Sequence, residues 1–221
     1  MSGVMNLLIT DFYGDPNLGL YGFASDRYCL LGFSSKITKR IKKILKTPVH
    51  SCNILNTSLL GIFLAGNSSG LVVPKILEKD EMKKIKEISD TLVLDSRYTA
   101  LGNLILMNDN GVILSPLLRK EKNKIKEFFD APCEITTIGN SKLVGALALT
   151  TNKGCLVDPR VKEKELDVLK RVLKVDVNIG TVNFGSPFVK AGLIGNSNGV
   201  VASTITSGHE LGKISEALKL F

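Results

Sequence analysis

The residues of this chain best equipped for nucleophilic or metal chemistry are four cysteines, Cys29, Cys52, Cys133 and Cys155, and two histidines, His50 and His209. A thiol becomes a nucleophile or a ligand only where a base, a cation or further ligands stand beside it. No CxxC spacing occurs, and a metal site would need ligands clustered closer than these four cysteines, with only two histidines to help. Cys29 and Cys155 each follow a turn, at matching places in a repeated pattern, which reads as small buried apolar side chains in a reducing compartment. Neither a metal nor a cofactor is expected.

A second chemistry is phosphate neutralisation. The 221 residues carry a net charge of +8, and no acidic residue falls between Arg27 and Leu77. Within that stretch stand Lys36, Lys39, Arg40, Lys42, Lys43 and Lys46. Such a face can neutralise a nucleic-acid backbone, with Lys39, Lys42 and Lys43 as candidate phosphate contacts, or can simply be a solvated helix surface. No aromatic residues interleave with the run, so a base-stacking platform is not indicated.

Whatever positions these side chains must be built from a repeat. Leu60 to Pro74 reads as an apolar strand, an Asn-x-x-Gly turn and a second apolar strand stopped by proline. Asn and Gly tolerate the left-handed backbone that a tight hairpin needs. The same layout returns after Gly19, Gly102, Gly145 and Gly192, so the opening glycines stand 42, 41, 43 and 47 residues apart. From opening glycine to turn residue is nine positions in four copies and seven in the fifth. Two landmarks in one register indicate five supersecondary units. Their approximate bounds are 17–58, 59–99, 100–141, 142–186 and 187–221.

Helical spacing follows each hairpin. Ile37, Ile41, Ile44 and Leu45 mark the first helix; Met82, Ile85 and Ile88 the second, with Asp80 as its expected N-cap. Ile125, Phe128 and Phe129 mark the third, Leu166, Leu169, Val172 and Leu173 the fourth. Leu211, Ile214, Leu218 and Phe221 mark the fifth, after the capping-box pattern Ser207-Gly208-His209-Glu210. A third strand is expected at 48–51, 91–95, 134–138 and 176–179. The fifth unit reaches residue 221 without one, while Asn6–Thr10 is an apolar strand without a unit. The economical solution is that this strand completes the fifth unit and closes a ring, leaving no open sheet edge. One domain over 1–221 follows. The longest apolar run, Leu59 to Ala65, is too short to span a bilayer, and Met1–Met5 lack a signal-peptide pattern, so a cytoplasmic protein without a membrane partner is expected.

Five β-β-α-β units closed by an N-terminal strand resemble the pentein fold, an α/β propeller. Within it, the chain resembles the archaeal and eukaryotic translation initiation factor 6 (ribosome anti-association factor) family. The phrases that carry this are Ala65-Gly66-Asn67 with Gly70-Leu71-Val72-Val73-Pro74, then Ala100-Leu101-Gly102-Asn103, and Gly180-Thr181-Val182-Asn183 with Gly185-Ser186. The resemblance implies a monomeric protein without catalysis. It would bind the intersubunit face of the large ribosomal subunit, over a ribosomal protein near the sarcin–ricin loop, and block joining of the small subunit. A role in late subunit maturation is implied too, with release by an elongation-factor-like GTPase and its cofactor protein.

Carried over, the ribosome-binding rim comprises Gly19 and Leu20, Gly61 and Ile62, Gly102 and Asn103, Gly145 and Ala146, and Gly192 and Leu193. The glycines can equally be structural, letting strands crowd at a narrow ring. Ile62 stands where eukaryotic members place Arg, which removes a charged contact. Those members also run on into a polar tail, so tail phosphorylation is not carried over. The same fold hosts guanidine-modifying hydrolases and transferases whose nucleophilic Cys lies near the C-terminal end of the ring; the fifth unit here contains no cysteine. A stand-alone RNA-binding ring is the third reading.

Overall fold

The computed structural model describes residues 6–221; Met1–Met5, and with them the expectation of a missing signal peptide, lie outside the described residues. Strand β1 (Leu7–Thr10) precedes the five units. Unit 1 contains β2 (Gly22–Ala24), β3 (Cys29–Leu31), helix α1 (Ile37–Leu45) and β4 (Val49–Ser51). Unit 2 contains β5 (Ala65–Gly66), β6 (Leu71–Pro74), α2 (Lys79–Ile88) and β7 (Thr91–Leu94). Unit 3 contains β8 (Ile105–Asn108), β9 (Gly111–Leu114), α3 (Lys122–Phe129) and β10 (Cys133–Ile135). Unit 4 has β11 (Ala148–Thr150), β12 (Gly154–Val157), α4 (Glu163–Leu173) and β13 (Asp176–Ile179). Unit 5 has β14 (Leu193–Asn196), β15 (Gly199–Ser203) and α5 (Gly208–Ala217).

In units 1 to 4 the first two strands form an antiparallel hairpin and the third lies parallel to the second. The fifth sheet has the order β1-β15-β14, with Leu7 opposite Val200 and Thr10 opposite Ser203 in parallel register. The N-terminal strand therefore takes the place of the third strand of unit 5, and the array closes as expected. A parallel pair demands a long crossover, which the helices supply in the other units.

The core is divided among the seams. One cluster joins Leu8, Phe12 and Val201 to Leu18, Leu31, Ile41 and Leu45, filling the seam between units 5 and 1. Another joins Leu106 and Ile113 of unit 3 to Val144, Cys155, Leu169 and Val172 of unit 4. Each helix thus lays its apolar stripe across its own sheet and the hairpin of the unit before it.

Three local expectations are corrected. The opening glycines do not begin strands; they sit in one-turn helices at Leu18–Leu20, Leu60–Phe63, Leu101–Leu104 and Val189–Gly192, and in a turn at 144–146. The N-cap of α2 is Glu78 rather than Asp80, because Glu81 reaches back to accept the Glu78 N–H at 3.0 Å. Phe221 lies past the end of α5 and is exposed, while Leu218 and Leu220 are buried in its stead.

Candidate functional site

The strands of each hairpin run between two ends of the ring, a rim where the unit begins and a tip where the hairpin turns. At the tips stand Ser25, Asn67, Asn108, Thr151 and Asn196, all buried. Each asparagine oxygen accepts two backbone N–H groups of its own turn, as Asn108 does from Asn110 and Gly111. The amide nitrogen then donates onward: Asn108 to the carbonyls of Thr151 and Leu173, Asn196 to those of Ser25 and Leu45, each at 2.9 Å. These asparagines therefore tie one unit to the next around the ring. Outside them runs a chain of tip contacts: Ser68 N–H to Asp109, Asp109 N–H to Asn152, Asn152 N–H to Ser197 and Ser197 N–H to Asp26.

At the rim, five turns form a closed circle. A Cβ on Gly61 would lie 1.8 Å from the Gly19 carbonyl oxygen, and one on Gly102 would lie 2.1 Å from that of Gly61. The main chain of each turn therefore occupies the volume that a side chain on the next would need. The turn at Gly19 is met in the same way by the carbonyl of Lys190. The backbone pairing agrees: Gly145 N–H donates to the Asn103 carbonyl and Lys190 N–H to the Ala146 carbonyl. Counting back six residues from the tip anchors gives Gly19, Gly61, Gly102, Gly145 and, in unit 5, Lys190.

The structural counterpart of the opening glycine in unit 5 is thus Lys190, two positions before Gly192. The spacing of seven rather than nine was the sequence signal for this shift. Gly192 and Leu193 are buried, and Leu193 already belongs to β14, paired with Ala202. Of the other rim candidates, Gly19, Gly61, Gly102 and Gly145 are buried, whereas Leu20, Ile62, Asn103 and Ala146 are partly exposed, as is Ala191. The Asn103 side-chain amide makes no hydrogen bond among the described residues.

The remaining candidates lie elsewhere. Lys39, Lys42 and Lys43 are exposed on α1, whose final carbonyl, Leu45 O, is held by Asn196 and Asn198 at the tip end. Cys29 and Cys155 are wholly buried in β3 and β12, and burial pushes the Cys155 thiol up to about 12 and those of Cys52 and Cys133 to about 11. Such groups are thiols at neutral pH, the wrong form for nucleophilic attack. His50 lies in β4 and His209 is exposed on α5.

The Gly180–Ser186 phrase forms a loop beside the rim that Glu210 organises. Thr181 Oγ1 and the Phe184 and Gly185 N–H groups donate to its carboxylate at 2.8, 3.1 and 2.8 Å, and Ser207 N–H caps the helix through it at 2.8 Å. Gly185 has φ +99, which glycine adopts without strain. Asn183 then donates to the Pro16 carbonyl, so the phrase also holds the segment that leads from β1 into unit 1. Glu165 repeats the device in unit 4, accepting from Thr137, Gly139 and Lys162.

Burial raises the Glu210 carboxyl, but the hydrogen bonds from Ser207, Gly185 and Thr181 outweigh it and hold the group at about 2. Its contribution is therefore present above the unfolded value near 4.5 and is lost as pH falls toward 2. Glu210→Gln should destabilise the protein by about 2–3 kcal/mol at pH 7, in the range of hydrogen bonds to a charged group. Urea midpoints of the wild type and variant should converge between pH 4.5 and 2; a gap that persists at pH 2 would assign the loss to packing instead.

The closed circuit of five β-β-α-β units defines a pentein ring, with backbone-packed turns at its rim and no reactive thiol among the described residues. The chain belongs to the eIF-6 family, whose family model matches residues 8–217. It is similar to the translation initiation factor 6 of Thermococcus onnurineus, 37% identical over 97% of this chain and 98% of that one. The factor of Methanocaldococcus jannaschii is 37% identical over 98% and 100% of the two chains, and that of Saccharolobus islandicus 36% over 97% and 99%. These relatives are named as translation factors, not enzymes. Among solved structures, a dimethylarginine dimethylaminohydrolase superposes with a TM-score of 0.46 at 8% identity, over 92% of this chain and 74% of that one. A C. jejuni agmatine deiminase superposes with 0.45 at 14%, over 91% and 74%. Among the described residues no helix is long and apolar enough to cross a membrane.

Proposed function

We propose that this translation initiation factor binds the intersubunit face of the large ribosomal subunit through the rim of its ring, and in doing so sterically blocks the small subunit. The observation that carries this reading is the circle of turns itself. It presents Leu20, Ile62, Asn103, Ala146 and Ala191, partly exposed and uncharged, around one end of a ring whose turns pack backbone against backbone. A surface with few charges and a fixed backbone suits docking against a protein partner, because little ordering entropy is lost on binding. The partner is a large-subunit protein near the sarcin–ricin loop, and a GTPase resembling an elongation factor, with its cofactor, releases the complex. Family membership over residues 8–217 supports this assignment. The exposed Lys39, Lys42 and Lys43, none of which is ion-paired among the described residues, supply a second and salt-sensitive contact to rRNA.

Asn103 is the rim side chain with both a free donor and a free acceptor. Asn103→Ser shortens it and removes that pair. Losing a central interface group of this kind costs about 1.5–2 kcal/mol, so large-subunit affinity should fall by about tenfold or more. The melting temperature should move by less than about 2 °C, because the amide has no partner to lose in the free protein. Co-sedimentation with purified subunits and thermal melting on the same variant decide the point. Unchanged binding would remove Asn103 from the contact, and a proportionate loss of stability would make it a structural residue.

A further inference from the structure

Four of the five rim turns carry glycine at the position where the chain crowds against its neighbour, and the fifth carries Lys190. Its side chain leaves the circle inward. The ammonium donates to the Gly102 carbonyl of unit 3 at 2.7 Å, two units away across the ring. It borders an axial cavity of about 60 Å³ lined by the first strands of the hairpins, among them Ala24, Ala65, Met107 and Thr150. No acidic side chain lines that cavity, and among the described residues no carboxylate stands within 4 Å of the ammonium.

An ammonium has three N–H donors, and among the described residues this one has a single, neutral acceptor. Lys190 is partly exposed, yet its ammonium is drawn away from open water; desolvating a cation without a counter-ion is costly, and glycine at this place, as in the other four units, would avoid the cost. We infer that Lys190 is a specificity residue of the rim, a seat for a carboxylate side chain of the docked protein partner that enters the mouth of the ring. The inference rests on the reading of the rim as the docking face. Two observations favour a carboxylate. The cavity has room for a few waters or one small planar oxyanion, on the measure by which a single water needs about 10–15 Å³. Its walls are mostly apolar and backbone, which suits a small carboxylate better than a phosphodiester that brings a sugar on each side.

Titration supports the seat. Burial pulls the Lys190 ammonium down to about 8. The rim turns it packs against, Leu18–Leu20, Leu101–Leu104 and residues 144–146, carry no titratable side chain that could share the transition. Asp26 and Asp109 line the opposite, tip end of the ring. Carboxylate binding should therefore be strong below pH 8 and weaken as Lys190 loses its proton above it.

Lys190→Gly is the informative variant, since four units already accept glycine there. Its large-subunit affinity, followed by co-sedimentation at matched ionic strength, should be at least tenfold lower than the wild type's at pH 7, and the two should converge toward pH 9.5. Sodium formate in place of chloride should weaken wild-type binding and leave the variant unaffected. Equal affinities, or a loss that is the same at every pH, would overturn the seat. A second measurement separates this from the function itself. In the free protein, formate should raise the melting temperature of the wild type by a few degrees relative to chloride, and not that of Lys190→Gly. If the wild type fails to bind subunits yet shows that shift, the docking reading fails while the oxyanion seat stands; if formate produces no shift, the seat fails whatever the ribosome does.

Discussion

Removing residues 1–11 should leave a chain that no longer melts cooperatively. Strand β1 pairs with β15 over four positions, and β15 is buried throughout, so its loss opens an apolar edge at the seam between units 5 and 1. Leu8 is 5% exposed, and Phe12, 2% exposed, would lose the strand that anchors it. Deleting one such side chain from a core typically costs about 2–5 kcal/mol, and the ladder hydrogen bonds add about 0.5–1.5 kcal/mol each. Against a total stability of about 5–15 kcal/mol the ring does not survive. A permutant controls for simple damage. Elsewhere the helix meets its third strand after two residues, 89–90 in unit 2 and 174–175 in unit 4, or three, 46–48 in unit 1 and 130–132 in unit 3. Appending residues 6–16 after Phe221 places five residues, 218–221 and 6, between α5 and β1, enough to let β1 reach β15 and restore a cooperative transition. Cooperative melting of the simple truncation at the wild-type temperature would refute closure by β1.

Much of this architecture was legible because it rests on local chemistry repeated five times. The glycines and asparagines of the turns, the apolar stripe of each helix and the Ser207–Glu210 capping box announce themselves within a few residues. Closure followed from counting, since one strand was missing at one end and one was spare at the other. What escaped is what only the assembled ring determines. The run Leu60–Phe63 is apolar and short, and periodicity cannot tell a strand from one helical turn at that length; crowding around the circle decides it. Asn108 and Asn196 hold neighbouring units together, yet Asn110 and Asn198, two residues on and directly before glycine, carry the plainer turn signal. Lys190 passed unnoticed because nothing beside it in the chain reveals that its ammonium points down the axis. Its surroundings come from units 1, 3 and 4.

Gly61→Ala should be among the most damaging single methyls in the protein, and it also decides what the rim glycines are for. The added Cβ would stand 1.8 Å from the Gly19 carbonyl oxygen and 2.9 Å from that of Gly22. Both obstacles are backbone, so no rotamer change relieves them, and a shift of one turn is passed to the next around a closed circle. Overpacking a core usually costs about 1–3 kcal/mol through side-chain adjustment. Here the main chain must move, so a loss of about 3 kcal/mol or more is expected, a fall in melting temperature of about 6–12 °C for a chain of this size. Gly212 supplies the contrast: it lies within α5 with nothing near its Cβ position, so Gly212→Ala should stabilise by about 0.5–1 kcal/mol through helix propensity. If the rim glycines serve packing, Gly61→Ala loses stability first, and its ribosome binding falls because Leu20, Ile62 and Asn103 are displaced from their circle. If they serve instead to let a partner's backbone approach, Gly61→Ala melts like the wild type and loses only subunit affinity. Melting and co-sedimentation on this one variant therefore distinguish a glycine that shapes the contact surface from one that is the contact.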